Sequence, residues 1–272
     1  MGRFHRHEDG DHDHPHDHAH DHDDDHAHDH GDHSGYTTAV ERVEVLESIF
    51  AENDVRADYN RNAFEANGVR ALNLMSSPGS GKTTILAATL DHLAADVAVG
   101  IVEGDIATDL DAAKLDGRGA QIALLNTSNG FGGECHLDAP MVNRALQDLD
   151  LSALDLVIIE NVGNLVCPAE FDVGEHAKAM VYSVTEGEDK PLKYPVMFRS
   201  VDVVLLNKID LVPYLDVDVD QYVAHIREVN PTATILAVSA RTGEGMDAWY
   251  RWLRTFLTPA GLHAHCAPAV SR

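Results

Sequence analysis

The sequence predicts an α/β domain, a mostly parallel sheet with helices on both faces, preceded by a disordered tail. Three observations predict it. Short apolar runs alternate with helix-like stretches from residue 71 to residue 258, and strands covered on both faces read as continuous apolar runs. A glycine-rich loop, SSPGSGKTT at 76–84, joins the first apolar run to the first helix. Residues 1–34 are dominated by His and Asp and have too few apolar side chains to bury for a core.

The chain divides accordingly into four parts: a His/Asp-rich metal-binding tail (1–34), a helical segment (35–70), the α/β domain (71–258) and a loose C-terminal tail (259–272). In the helical segment Val40, Val43, Ile49 and Phe50 suggest an apolar stripe, and Gly68 ends it. Strands are expected at ALNLM (71–75), VAVGIV (97–102), QIALL (121–125), DLVII (155–159), VDVVLL (201–206) and ATILAV (233–238). Helices are expected around 82–94, 107–116, 138–149 and 218–229. A last one, 245–257, puts Met246, Trp249, Leu253 and Phe256 on one face.

The formal net charge is −25, of which −9 falls on residues 1–35 and −16 on the rest. Phosphate contacts need a basic face, so nucleic acid is not an expected partner. No stretch has the length of a membrane span, and the N-terminus lacks the apolar core of a secretory signal. Three cysteines, Cys135, Cys167 and Cys266, do not make a disulfide framework. A reducing, cytoplasmic setting is expected, in which thiols are available as metal ligands.

A bound phosphate needs many donors and close backbone approach. Gly79, Ser80 and Gly81 provide the approach, and the following helix supplies free N–H groups and its positive dipole end. Lys82 is placed to reach the β- and γ-phosphates, Thr83 to ligate Mg²⁺, and Thr84 to continue the cradle. The full phosphate-loop pattern has Gly where this chain has Ser76. The strand before and the helix after restore the reading, a P-loop NTPase.

Further on, VDVVLLNKID ends a strand with Asn207, Lys208 and Asp210. Guanine presents two adjacent donors, N1–H and the 2-amino group, and one carboxylate can accept both, whereas adenine offers no such pair. Asp210 is placed for that role, Asn207 for bracing the loop and the Lys208 stem for covering the base. Ser239 and Ala240, in VSARTGEG, form the second base-side loop. GTP/GDP is therefore favoured over ATP.

Two further segments follow strands toward the phosphate site. In EGDIATDLDAAKL, Asp105 and Thr108 stand at a strand end, and Asp105 is a candidate for Mg²⁺ or its water and for polarising the attacking water; Asp111 is a weaker candidate. In ENVGNLVCP, Glu160 is a second candidate for the Mg²⁺ shell, and the Gly163 N–H is a candidate γ-phosphate sensor. Catalysis in such a site is mostly positioning and charge stabilisation.

Cys135, His136 and Cys167 are candidate ligands for Ni²⁺ or Zn²⁺, since thiolate and imidazole suit both ions and ligand identity alone allows either. Three ligands leave a position for water or a second subunit. The alternative is that the two cysteines are small buried hydrophobes. His92, His176, His225 and His263 read as surface or core residues, and His265-Cys266 as a frayed end. In the tail, His12, His14, His16, His18, His20, His22, His26, His28 and His30 offer neutral imidazoles on a chain interleaved with Asp, suited to binding several divalent ions weakly.

Taken together, LMSSPGSGKTT, EGDIATDLDA, GGECHLDA, ENVGNLVCPAEFDVGE and NKIDL resemble the hydrogenase nickel-incorporation GTPases, the HypB family, over about residues 36–258. The resemblance extends to Ser76, which matches that family's own form of the loop. It implies a slow, switch-type GTPase that pairs with a second copy when GTP is bound and delivers Ni²⁺ to the large subunit of [NiFe]-hydrogenase. It further implies a small zinc-containing accessory protein as partner and a metal site at Cys135, His136 and Cys167. The chain starts MGRFHRH and lacks the Cys-rich N-terminal nickel motif of some relatives; its histidine tail resembles the storage tails of others. Two rival readings are a urease-type nickel GTPase accessory protein and a nickel/zinc buffer in which nucleotide is incidental.

Overall fold

The structure is a computed structural model and describes residues 39–93, 95–104, 114–125 and 136–258. From Val43 onward the described residues belong to one compact unit. The tails 1–34 and 259–272 and most of the helix expected at 107–116 lie outside the described residues.

A helix, α1 (Ala39–Asn67), leads into β1 (Arg70–Ser76), and the glycine-rich loop into α2 (Lys82–Leu93). Then come β2 (Val99–Glu103), β3 (Gln121–Leu124), α3 (Ala139–Ala145), β4 (Leu156–Gly163), the one-turn α4 (Cys167–Glu170) and β5 (Ala177–Ser183). Two short helices, α5 (Lys190–Lys193) and α6 (Pro195–Arg199), precede β6 (Val203–Asn207), α7 (Val219–Val229), β7 (Thr234–Ala237) and α8 (Met246–Leu257). The seven strands form one sheet in the order β3-β2-β4-β1-β5-β6-β7, and each neighbouring pair is parallel.

Side chains alternate across the sheet because the strand period is two. On one face Leu72, Leu74, Ile101, Ile158, Val181 and Leu205 pack with Leu86 and Leu90 of α2 and with Trp249 and Leu253 of α8. On the other, Ala71, Val102, Val157 and Ile159 meet Phe64 of α1 and Val142 of α3, while Met180, Tyr182, Val204 and Leu206 meet Phe198 of α6 and Tyr222 and Ile226 of α7. Trp249 Nε1 donates to Thr89 Oγ1 at 2.9 Å, so the largest buried ring also satisfies its polar atom.

One sequence reading is corrected and one extended. The strand β5 was not expected, because AKAMVYS carries Lys178 at its start and follows a polar, acidic stretch. It pairs directly with β1 and is therefore central. Of the stripe expected on α1, the side chains of Val40, Val43 and Ile49 lie outside the described residues, and Phe50 is partly exposed with its ring 5.2 Å from that of Phe171. Among the described side chains of α1 the buried ones are Asn53, Ala57, Asn60 and Phe64. Two of these four are amides, so apolar periodicity could not find the face. Asn60 Nδ2 donates to the carbonyls of Ala139 and Val173, both at 3.0 Å. Asn53 Nδ2 donates to the Asp172 carbonyl at 2.8 Å, and its Oδ1 accepts from Ala139 N at 2.9 Å.

A third amide gives a stability test remote from the loops discussed below. Asn230 Nδ2 donates to the carbonyls of Phe198 and Val201, both at 2.9 Å. Its Oδ1 accepts from Thr232 Oγ1 at 2.9 Å and Ala233 N at 3.0 Å. Replacing Asn230 with Ala strands buried backbone groups and is expected to cost about 2–4 kcal/mol, read from the urea midpoint. A loss under about 0.5 kcal/mol would mean that these bonds are replaced by water.

Candidate functional site

The carboxyl ends of β1, β6 and the β7–α8 connection converge on one edge of the sheet. The loop after β1 wraps the start of α2, where a cavity of about 210 Å³ is lined by Ser76, Ser77, Gly79, Ser80, Gly81, Lys82, Thr83, Thr84 and Lys114. Beside it lies a cavity of about 350 Å³, formed by Asn207, Lys208, Asp210, Leu211, Ser239, Ala240 and Arg241 together with Gly81 and Thr84. Two residues thus border both spaces, which suits a ligand with a polar, anionic part and a flat part. A larger cavity, about 430 Å³, opens among Val97, Val99, Arg118 and Asp155 at the amino ends of β2 and β4, away from these loops.

The two spaces are tied together by Asn207. Its Nδ2 donates to the Ser80 carbonyl at 2.9 Å, and its Oδ1 accepts from Ala240 N at 3.2 Å. Gly81 makes this possible. Its φ is +102°, and a Cβ there would sit 2.6 Å from Asn207 Nδ2, so both conformation and space require glycine. Lys208 adopts φ +65°, the left-handed region, a strained choice for a residue with a Cβ. Its Nζ reaches back to donate to the Gly79 carbonyl at 2.6 Å. Asp210 Oδ1 accepts from Ser239 Oγ at 2.7 Å, which fixes the plane of the carboxylate at the mouth of the larger space.

Lys82 is buried, and its Nζ donates to Ser76 Oγ at 3.1 Å. The serine that replaces the usual glycine therefore contributes a hydroxyl that holds the lysine across its own loop. Ser77 Oγ hydrogen-bonds Glu186, whose carboxylate also accepts from Ser183 N at 2.9 Å.

Strand β4 runs four residues further than its apolar core DLVII suggested, so Glu160, Asn161 and Gly163 lie within it. Glu160 is fully buried, and its Oε1 accepts from Thr83 Oγ1 at 3.3 Å. Gly163 lies against Pro78 of the phosphate loop. Glu103, at the end of β2, is the register partner of Glu160 and is equally buried. Partners on adjacent parallel strands share a face about 4.8 Å apart, here the α2 face. Glu103 was missed in the sequence; the available signal was an acidic residue closing the apolar run VGIV. Two carboxylates and a threonine hydroxyl form the all-oxygen set that a hard divalent cation takes. Asp105, Thr108 and Asp111 lie outside the described residues.

Of the candidate soft ligands, Cys135 lies outside the described residues. Cys167 begins the turn α4, and Asn164 Nδ2 lies 3.6 Å from its Sγ. The His136 ring packs on Phe171, with centroids 4.0 Å apart, and Phe171 is the residue that closes α4. That contact brings the His136 loop against the Cys167 turn. Among the described residues no three His, Cys, Asp or Glu side chains cluster as a metal site. His12, His14, His16, His18, His20, His22, His26, His28 and His30, with His263, His265 and Cys266, lie outside the described residues. Of the remaining histidines, His176 is half-buried; its Nδ1 accepts from Ala71 N at 2.9 Å, and burial lowers its pKa. His92 stacks on Tyr250. Among the described residues no helix is long and apolar enough to cross a membrane.

Comparison with known proteins agrees with this arrangement. The profile of the CobW/HypB/UreG nucleotide-binding domain matches residues 70–237. Hydrogenase maturation factor HypB of Azotobacter chroococcum mcd 1 is 50% identical over 211 residues, covering 78% of this chain and 68% of that protein. The crystal structure of hydrogenase maturation factor HypB from Archaeoglobus fulgidus superposes with a TM-score of 0.71 at 36% identity, over 76% of this chain and 100% of that one. HypB from Helicobacter pylori, solved in complex with nickel, superposes with a TM-score of 0.69 at 36% identity, over 76% of this chain and 95% of that one. The chain belongs to the CobW/HypB/UreG nucleotide-binding family and, within it, to the HypB hydrogenase maturation factors.

Proposed function

We propose that this protein hydrolyses GTP slowly and uses the nucleotide state to hold and release Ni²⁺ during [NiFe]-hydrogenase maturation. The observation that carries this reading is the course of β4. It meets the phosphate loop at Glu160 and Gly163, and Cys167 follows four residues later. The nickel-bound Helicobacter pylori relative supports nickel as the cargo.

In this reading Asp210 accepts the two donors of guanine while Asn207 locks the base loop to the phosphate loop. Gly79, Ser80 and Gly81 turn backbone N–H groups toward the phosphates. Lys82 leaves Ser76 Oγ for the β/γ oxygens. Thr83, Glu160 and Asp105 hold Mg²⁺, with Glu103 beside them. Mg²⁺, when bound, neutralises charge on the β- and γ-phosphates. Gly163 N–H reads the γ-phosphate, and Asp105 orients the attacking water. Cys135, His136 and Cys167 bind the cargo ion, for which Zn²⁺ competes with the same donor set. The tail histidines 12 to 30 hold a weakly bound reserve. GTP loading pairs two copies of the chain; hydrolysis separates them and passes the ion toward the hydrogenase large subunit, with a small zinc-containing accessory protein assisting.

The test is nickel titration of the GDP-loaded and GTP-analogue-loaded chain, read by thiolate-to-nickel absorbance for the cysteine site and by calorimetry for the histidine tail, with phosphate release followed separately. Affinities differing at least fivefold, and a weak binding phase lost on removal of residues 1–34, are expected. Equal affinities in both states would sink the switch.

A further inference from the structure

Adjacent residues of β4 face opposite sides of the sheet. Glu160 points to the α2 face, beside Thr83. Asn161 points the other way, into a buried seam of amides. Its Oδ1 accepts from the backbone N–H of Leu137, the residue after His136, at 3.0 Å, and from Val162 N at 2.9 Å. Its Nδ2 donates to Asn73 Oδ1 on β1 at 3.3 Å, and Asn73 Nδ2 donates to Glu175 Oε1 at 3.2 Å. Asn161 and Leu137 are both fully buried.

The strand is irregular at this point. Leu74 pairs with Glu160 and Ser76 with Gly163, so β4 takes three steps where β1 takes two. The extra residue is a bulge, a device that re-aims a side chain. The second hydrogen bond of Asn161 satisfies the Val162 N–H inside it. Leu137 is held from a third direction too. A Cβ on Gly104 would lie 2.5 Å from Leu137 Cδ1, so Leu137 packs on the Gly104 backbone just after Glu103. Gly104 N in turn donates to the Glu160 carbonyl at 3.0 Å. The segments at 103–104, 136–137 and 160–163 therefore meet at one buried junction.

We propose that Asn161 is a positioning residue that transmits nucleotide state from Glu160 to His136, by a route separate from the chain connection that leads to Cys167. This rests on the nickel-switch reading above. A shift of β4 at Glu160 moves the Asn161 amide, and with it the Leu137 N–H and the His136 backbone. The bond is short-range and buried, so it shifts as a unit with the bulge instead of being absorbed by solvent.

The experiment compares the full chain with its Asn161→Ala variant, both in a Cys266→Ser background so that thiolate absorbance reports Cys135 and Cys167. Nickel affinity is measured with GDP and with a GTP analogue. The parent is expected to differ between states by about 5- to 150-fold, the usual range of coupling. Asn161→Ala is expected to bring that ratio within twofold of one, with GTP affinity and turnover within threefold of the parent. A parent ratio above fivefold that survives in Asn161→Ala overturns this inference and leaves the switch standing. A parent ratio of one overturns both. Should the variant fail to fold, amide exchange in the unaltered chain decides. The Leu137 N–H is expected to exchange at rates differing at least tenfold between the two nucleotide states, and equal rates reject the role.

Discussion

Asp210→Asn is expected to weaken GTP binding by about two to three orders of magnitude and to favour xanthosine triphosphate. A carboxylate accepts both N1–H and the 2-amino group. A carboxamide presents one acceptor and one donor, so one guanine donor loses its partner and faces another donor. Hydrogen bonds to a charged group contribute about 1.5–3 kcal/mol each, and an unpaired buried donor costs a further ~1–3 kcal/mol. Xanthine carries an oxygen in place of the 2-amino group and restores the match. Ser239 Oγ, 2.7 Å from Asp210 Oδ1, still has an oxygen to donate to, so the introduced amide keeps its orientation. Competition of the two triphosphates against a fluorescent GDP analogue gives the ratio. If the preference for guanine is unchanged, Asp210 does not read the base, and the cavity of about 350 Å³ is not its pocket.

How much of this was legible beforehand depends on whether a residue's role is local. Gly81, Lys82 and Thr83 were readable because phosphate binding imposes glycines and a lysine at fixed spacing on a strand–loop–helix. Asn207 was readable as a brace for the same reason, although its partner Ser80 lies 127 residues away. Glu160 was expected near the phosphate loop from strand order alone, and its Oε1 accepts from Thr83 Oγ1 at 3.3 Å. The junction behind it was not readable. Asn73 and Asn161 looked like interruptions of apolar runs, and their partnership spans 88 residues. Asn is depleted in strands, so its presence in ALNLM and in ENVG was the only clue. The C-terminal part of the α1 face was hidden similarly: Asn53 and Asn60 are buried because they bind the backbone of 139 and 172–173. Apolar periodicity does not register a face that recognises carbonyls. The strand β5 was hidden by Lys178, whose ammonium pairs with Glu175 at 3.3 Å. Burial raises the Glu175 pKa, and its other carboxylate oxygen accepts from Val173 N at 2.8 Å. A charge at a strand start reads as loop until its partner is known.

Lys82→Ala is expected to slow GTP hydrolysis by at least a thousandfold, about 4 kcal/mol in the barrier. The ammonium is buried and is bonded to Ser76 Oγ at 3.1 Å before any nucleotide arrives. It therefore needs only a short displacement to meet developing charge, and in a site shielded from water that charge is worth more than it would be on the surface. Without the lysine, Ser76 Oγ still donates to the Ser77 carbonyl at 2.7 Å, so the loop keeps a hydroxyl contact and the fold should survive. The loss then falls on the reaction, and circular dichroism with a melting curve separates it from unfolding. The consequence for the metal follows from the donor set. Lys82 is not among the candidate ligands Cys135, His136 and Cys167, so thiolate-bound nickel should remain in the variant. What should vanish is its release on adding GTP and Mg²⁺, because the nucleotide stays intact. Release that persists without turnover would mean that binding alone moves the ion, and hydrolysis would then serve only to reset the protein. Turnover within tenfold of the parent would remove Lys82 from the mechanism, and the role of this loop would be binding alone.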